Sequence, residues 1–559
     1  MIEPRALPLC SMESSHEKPT GMYARCRNAL QRTTVLRRFS RRIPLITGLI
    51  LGLFLWTASR LHNGSPVLPG SIFGPGRQKP EPPPVEEPPE RPHYPGMERL
   101  NWQPGMCNVP EIEFLRRPEL GLTSNIVYSR RCVRSARSKT NPSHEAVTNI
   151  TEPLITTKTK VDLADCSTVE LPPCEPITLQ VSPPYPHKQY KHLMFGVASS
   201  YERINQSLAD FEHWAANSGV ELLFIVADAF PQEGGMLDLQ GLEQEYTSRG
   251  MRATMIPPTI RERINRFDQE GEGPAPIEQH HFMLVRELHQ RSTPGLTRWI
   301  AVLDDDTFFP SLHLLDEGLS KYDHTKHVWL GALSDDFGAI KNFGIMGYGG
   351  AGVFLSPSLA STLSAHAEQC LRESTTFSGD GMLRDCVYTH SRAGLTLMPG
   401  LYQHDIRGDA SGFFESGVLP VSLHHWKSWY RAPVAAISRV ATLVCGNCML
   451  QRWRFGHDTL LANGYSIAVY RPGVLDKLDL SRVEGTWEQP TRDFDFFYGK
   501  LREKISRDEK KTYLLRDSVL DEKAKVFRQV YVYRADEFEY EQAVPSGVDE
   551  VVELVWELD

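Results

Sequence analysis

The sequence predicts an α/β fold with a central, mostly parallel sheet, an N-terminal transmembrane helix and a small strand-containing C-terminal extension. Three observations lead there. Between residues 191 and 430, short apolar runs alternate with segments of helical spacing. An uncharged, largely apolar run covers residues 43–59, directly behind four arginines. Beyond residue 430 the alternation is lost and isolated strand-like runs remain.

Residues 1–42 hold nine Lys/Arg and three Asp/Glu, a basic arm of about +6 in a chain whose formal net charge is -8. The rest is acidic and carries no basic stripe, so nucleic acid is not an expected partner. The seventeen residues of 43–59 sit at the low end of what spans a bilayer, roughly 17–25 residues. Arg37, Arg38, Arg41 and Arg42 place the arm in the cytosol and the remainder in the lumen. The arm is longer than a whole signal peptide of roughly 15–30 residues, so an uncleaved signal-anchor is expected. A short span suits membranes of the early secretory pathway. The expectation is a single-pass type II Golgi membrane protein with its body in the lumen, attached through residues 43–59. Sequons at Asn149-Ile150-Thr151 and Asn205-Gln206-Ser207 fit a glycoprotein; that at Asn63 lies close to the span.

Residues 60–105 read as a stem. Eleven prolines fall between Pro66 and Pro95, a composition that favours extended chain and buries little. Residues 106–190 read as an irregular region held by disulfides. Cys107, Cys132, Cys166, Cys174, Cys370, Cys386, Cys445 and Cys448 form an even lumenal set. Proximity suggests Cys166–Cys174, Cys370–Cys386 and Cys107–Cys132. Cys445-Gly446-Asn447-Cys448 reads as a tight disulfide, or as half a zinc site lacking its second pair.

The alternating pattern begins at His192–Ser199, an unbroken apolar run expected of a buried strand. A helix is expected over Ile204–Asn217, with Leu208, Phe211 and Trp214 on one face. Strands follow at Glu221–Ala227, Arg252–Ile256 and Arg298–Leu303, with helices at Gln240–Arg249 and Gln279–Gln290 between them. Such alternation argues for parallel strands covered on both faces. Val418–Leu423 reads as a further short strand. In the extension, 431–559, Trp453–Tyr470 and Val526–Tyr533 contain strands, Phe494–Lys510 is a helix or loop, and the end from Val544 is acidic.

The chemistry gathers where the fourth strand ends. Asp304, Asp305 and Asp306 follow Leu303 directly. Ligands collect at the C-terminal ends of strands in open α/β sheets. Adjacent carboxylates repel, and a Mg²⁺ or Mn²⁺ ion with oxygen ligands supplies the missing counter-charge. A solvated acidic turn or a calcium loop is the plain alternative. Further along stand the glycine turn Gly347-Tyr348-Gly349-Gly350-Ala351-Gly352, then Gly379-Asp380-Gly381, then His424-His425. A glycine turn permits close backbone approach or is simply a tight turn. Asp380 reads as a helix N-cap, a general base, or both.

Taken in order, Arg298 to Thr307, Trp329-Leu330-Gly331, Tyr348 to Gly352, Gly379 to Cys386, Gln403 to Asp409 and Val421 to His425 resemble the Fringe-like branch of glycosyltransferase family 31, in particular its plant and fungal members. The resemblance covers about residues 190–430. It implies a GT-A type nucleotide-sugar-binding fold and a catalytic domain over 191–430. It implies Mn²⁺ (or Mg²⁺), a UDP-sugar donor, and an inverting hexosyltransferase that moves a hexose or N-acetylhexosamine to a glycan or glycoprotein, in β-1,3 linkage. On that basis Asp306 is the main metal ligand and His425 completes the site, with His424 the second choice. Asp304 and Asp305 meet the ribose or metal-bound water, Gly350, Ala351 and Gly352 line the donor sugar, and Asp380 is the base. The family often carries two acids where this chain has Gly379-Asp380, and a glycine where it has Arg384-Asp385. An inactive, sugar-binding lumenal protein on the same fold is the alternative.

Overall fold

The computed structural model of the protein describes residues 109–139, 144–165, 170–231, 235–265, 271–488, 498–534 and 547–558. The chain divides into two units, 1–90 and 91–559; the first lies wholly outside the described residues.

Strands come in three groups. The first is β1 (Asn125–Arg137), β2 (Val147–Ile150), β3 (Thr159–Asp162) and β4 (Glu175–Val181). The second is β5 (Leu193–Ser199), β6 (Glu221–Val226), β7 (Arg252–Ile256), β8 (Trp299–Leu303), β9 (Trp329–Gly331), β10 (Val353–Leu355) and β11 (Leu395–Leu397). The third is β12 (Arg452–Phe455), β13 (Thr459–Ala462), β14 (Ser466–Tyr470), β15 (Lys510–Asp521), β16 (Val526–Tyr533) and β17 (Asp549–Glu557).

The second group makes a seven-stranded sheet in the order β11-β9-β10-β8-β5-β6-β7. Every neighbouring pair is parallel except β10 with β8 and with β9, so the α/β, mostly parallel expectation describes this sheet. The reason for its unbroken apolar runs is visible in the packing. Phe195, Val197, Leu222, Phe224, Ala301 and Leu303 enter the larger core. Met194, Ala198, Leu223, Ile225, Ile300 and Val302, which alternate with them, enter a second core beneath the Ile277–Arg291 helix. Strands covered on both faces have no polar side to show. Gly196 sits under that helix because an added Cβ would lie 2.7 Å from a methyl of Leu288.

The first and third groups form one ten-stranded sheet. Its order is β2-β12-β13-β14-β15-β16-β17-β1-β3, with β4 pairing on β1. The larger core runs continuously from the seven-stranded sheet to Trp453, Tyr513, Tyr531 and Trp556. This corrects the small C-terminal extension and the irregular region expected at 106–190: together they build the larger sheet. β1 escaped notice because four arginines interrupt its alternation. Arg131 pairs with Glu175 at 2.7 Å and Arg134 with Glu557 at 2.6 Å, so neighbouring strands neutralise these charges. Val418–Leu423 is not a strand; Leu423 makes a single bridge to Phe308. The helix expected over Ile204–Asn217 is two, Tyr201–Gln206 and Leu208–Ala215.

The membrane expectations are also corrected. No helix among the described residues is long and apolar enough to cross a membrane. The longest of them, Ile277–Arg291, has 15 residues. At 1.5 Å per residue that is about 22 Å, against about 30 Å of hydrocarbon. Residues 43–59, where the span is expected, lie outside the described residues, as does the stem. The transmembrane anchor, the type II topology, the membrane as partner and the Golgi placement that depended on them are not carried by this structure.

Among the described cysteines the disulfides are Cys132–Cys174, Cys370–Cys386 and Cys445–Cys448. The last two pairings match expectation. Cys132 takes Cys174 because β1 runs parallel to β4, with Cys132 opposite Pro176. Cys107 and Cys166 lie outside the described residues.

Candidate active site

A cavity of about 730 Å³ opens where β5 and β8 end. Its lining includes Ser199 and Arg203 from the first strand and the helix after it, the three aspartates after β8, His281, Asp380, His424, His425 and Lys427. The parallel pairing of β5 with β8, Val197 opposite Leu303, brings the two strand ends together.

The three aspartates take different partners. Asp305 is bound by Arg203, whose Nε donates at 2.6 Å and whose Nη2 donates to the other oxygen, and it also accepts from the Ser199 hydroxyl. Asp306 Oδ1 lies 3.0 Å from His424 Nε2, and Asp304 Oδ2 lies 3.3 Å from the same nitrogen. The segment carrying His424 is stitched beside the aspartates by a reciprocal backbone pair between Phe308 and Leu423, both at 2.9 Å. Trp426 Nε1 donates to the Asp306 carbonyl at 2.6 Å.

His424 is buried and its tautomer is fixed from behind. Nδ1 lies 2.9 Å from the Gln403 carbonyl, which can only accept, so Nδ1 carries the hydrogen and Nε2 faces the carboxylates. Burial alone would push the His424 pKa down; the carboxylates of Asp306 and Asp304 outweigh it and hold it well above the usual imidazole value. Asp304 is likewise penalised by burial, yet the His424 imidazolium brings it down to about 2. Two carboxylates converging on one buried ring make this a point that favours positive charge. Asp306, His424 and His425 offer ligand atoms all within 4.8 Å of one another. An oxygen-plus-imidazole set of this kind suits a divalent ion of the first transition row.

His425 is the less buried of the two histidines. Its ring stacks on Trp429 at 4.1 Å, and its Nε2 lies 2.9 Å from Asp405 Oδ1. Both histidines therefore face the cavity, while the direct contacts to Asp304 and Asp306 belong to His424.

Asp380 enters from another helix, Gly379–His390, whose N-cap is the Ser378 hydroxyl rather than Asp380. The Asp380 carboxylate is held at both ends: Oδ2 accepts from Gly349 N at 2.8 Å, and Oδ1 lies 3.2 Å from His281 Nε2. His281 Nδ1 in turn lies 3.7 Å from Asp304 Oδ1. Burial opposes charge on His281, but Asp380 and then Asp304 raise its pKa above the ordinary value. His281 thus links the acid across the cavity to the acids at the strand end.

The glycine turn stands behind this group. A Cβ on Gly350 would lie 2.2 Å from His424 Cε1, one on Gly349 2.7 Å from Asp380 Oδ1, and one on Gly379 2.5 Å from His281 Cδ2. Gly350 O accepts from Thr307 Oγ1 at 3.0 Å, and the Ala351 amide donates to Gln403 Oε1 at 3.0 Å. Gly352 has a left-handed backbone, φ +92. Gly350, Ala351 and Gly352 are not among the residues lining the cavity; Gly350 backs His424, and Gly352 packs toward Phe354 and Leu303.

Sequence reasoning missed His281, Arg203, Lys427 and Asp405. The pair His280-His281 on an otherwise amphipathic helix was a visible sign for the first. Asp405 lies within the Gln403–Asp409 segment and Lys427 just past the histidine pair, but no role was assigned to either; nothing local marks Arg203, which reaches the site through tertiary packing.

Residues 340–442 match the family described as "Protein of unknown function, DUF604". That span holds the glycine turn, Asp380, Asp405 and both histidines, but not the aspartate triplet. No curated protein matches the chain. Solved structures that resemble it include the galactosyltransferase LgtC in complex with donor and acceptor sugar analogues, 11% identical over 43% of this chain and 87% of that one, with a TM-score of 0.27. The mannosyltransferase PcManGT from Pyrobaculum calidifontis in complex with GDP-Man and Mn²⁺ is 9% identical over 42% of this chain and 63% of that one, with a TM-score of 0.25. Mouse xyloside xylosyltransferase 1 is 11% identical over 37% and 85%, with a TM-score of 0.24. TM-scores this low assign neither fold nor function by themselves.

Proposed function

We propose that this protein is a metal-dependent glycosyltransferase, with Asp306, His424 and His425 as the cation site and Asp380 as the base. The observation that carries the reading is the pairing of that cluster with a second, independently held carboxylate in one cavity. A divalent cation there would neutralise charge on a departing diphosphate. Arg203 and Lys427, at the same rim, would add positive charge for the nucleotide. Asp304, which lies beside His424 and His281, would meet ribose or cation-bound water.

Asp380 would remove the proton of an acceptor hydroxyl as that oxygen bonds to the anomeric carbon and the bond from that carbon to the diphosphate oxygen breaks. The proton ends on Asp380, and attack from the opposite face inverts the anomeric centre. General-base assistance is worth about 10²–10⁴-fold. The resemblance to the Fringe-like branch of family 31 favours a UDP-hexose or UDP-N-acetylhexosamine donor, a glycan or glycoprotein acceptor and a β-1,3 linkage.

The test is a panel of UDP-sugars assayed with Mn²⁺ for donor hydrolysis and transfer. Asp306→Ala should lose both. Asp380→Asn should keep donor binding and lose transfer by about 10²–10⁴-fold. Turnover within a few-fold of wild type in either variant would end the corresponding assignment.

A further inference from the structure

Asp405 stands beside the cavity and takes no part in the chemistry above. We propose that Asp405 is a positioning residue that orients His425 for cation binding, an inference that rests on the metal-dependent reading. Its Oδ1 lies 2.9 Å from His425 Nε2, with the Asp405 side chain 6% exposed and that of His425 19%. Its other oxygen accepts from the Ser334 hydroxyl, so the carboxylate is held from behind. The His425 ring lies flat on Trp429, with an interplanar angle of 3°, and the Arg407 guanidinium sits 4.5 Å from the Trp429 ring centre.

The backbone adds a second constraint. His425 has φ +57, a conformation a non-glycine residue rarely adopts. The turn is closed by Ser428 N and Trp429 N, which donate to His425 O at 3.1 and 2.9 Å. Strain of this kind is kept where the surroundings over-determine a residue, as at ligand-binding sites.

The chemistry follows from the ring. A carboxylate that takes the Nε2 hydrogen leaves the lone pair on Nδ1 and makes the imidazole a better ligand. Among the described residues, the hydrogen-bond partner of His425 Nδ1 is Ser428 Oγ at a long 3.4 Å. His424 is fixed in the opposite sense, Nδ1 to the Gln403 carbonyl and Nε2 toward Asp306 and Asp304. Two residues of one segment, Gln403 and Asp405, thus set the tautomers of both histidines. Between them His404 also has a left-handed backbone, φ +54.

The experiment measures Mn²⁺ binding by titration calorimetry, and the visible spectrum of the Co²⁺-loaded protein, for wild type, Asp405→Asn, Asp405→Ala and Ser334→Ala. Asp405→Ala should weaken Mn²⁺ binding by about 10–100-fold, the range found when the outer partner of a ligating histidine is lost. Asp405→Asn should fall between it and wild type, Ser334→Ala should lose less, and the Co²⁺ bands should shift in both Asp405 variants. If Asp405→Ala fails to fold in EDTA, Asp405→Asn carries the test alone. Wild-type affinity with unchanged Co²⁺ bands in a folded Asp405 variant would overturn the positioning role. Absence of Mn²⁺ binding by wild type would instead overturn the metal-dependent reading itself.

Discussion

Gly350→Ala is a one-methyl probe of the proposed cation site. The new Cβ would lie 2.2 Å from His424 Cε1 and Nδ1 and 2.4 Å from Cγ, where ordinary contact begins at 3.4 Å. Something must therefore yield by about 1 Å, and the tightly packed surroundings leave the imidazole as the part that moves. The backbone at Gly350 is not left-handed, so alanine meets no conformational penalty and the effect is steric. The ring is tied at Nδ1 to Gln403 O at 2.9 Å and at Nε2 to Asp306 at 3.0 Å, and a shift of that size breaks at least one of these contacts. Overpacking of this kind destabilises by about 1–3 kcal/mol. Displacing a ligand by about 1 Å should weaken Mn²⁺ by about 10–100-fold, as loss of an orienting contact does. The assay is Mn²⁺ calorimetry beside urea unfolding, with Gly394→Ala as the control, since a Cβ there meets nothing within 4 Å. Wild-type Mn²⁺ affinity together with wild-type stability in Gly350→Ala would refute the claim that this glycine exists to admit His424.

Two further outcomes concern stability. Burial, and then the Asp405 carboxylate, raise the Asp335 pKa to about 7. Between about pH 4 and 7 the folded protein thus keeps a proton that the unfolded chain has lost, and this group's contribution to stability falls as pH rises through that window, by up to about 4 kcal/mol. Asp335→Asn keeps an oxygen for the His404 amide, 2.5 Å from Asp335 Oδ2, and should flatten that slope in urea unfolding; parallel profiles for the two proteins would contradict it. Lys510 is buried between Glu415 at 2.5 Å and Glu484 at 3.1 Å. Lys510→Met strands the Glu415 charge and should cost about 3–5 kcal/mol, with partial recovery when Glu415→Gln is added; a loss under about 1 kcal/mol would show that the pair carries little.

The seven-stranded sheet was legible because its strands are buried on both faces and so are written as short apolar words; β5, β6, β7 and β8 fall within a residue of expectation. β1 and β17 were not legible. Asp549–Glu557 mixes four acids with five apolar residues and reads as an acidic tail until Arg528 is seen 2.9 Å from Glu553. Cys132 and Cys174 are 42 residues apart, and sheet pairing, not sequence distance, joins them. The acid triplet, Asp380 and the histidine pair stood out in the sequence because such groupings are uncommon, and they line one cavity. Choosing between His424 and His425 was beyond the sequence, since the choice turns on what lies behind each ring. Gln403 lies behind His424 and Asp405 behind His425, each about twenty residues away in sequence.

β17 stands between β16 and β1, and its parallel pairing with β1 begins at Ile126, opposite Asp549. The seven-stranded sheet can assemble from a contiguous stretch, 193–397, whereas the larger one waits for a strand made more than four hundred residues after the first. Loops of that length are closed late, and unpaired strand borders invite aggregation in the interval. On a ribosome, then, the last strand acts as a keystone. A nonsense codon after residue 533 would spare every residue of the candidate site yet leave two open borders, and its product is expected to pellet with the insoluble fraction where the full chain does not.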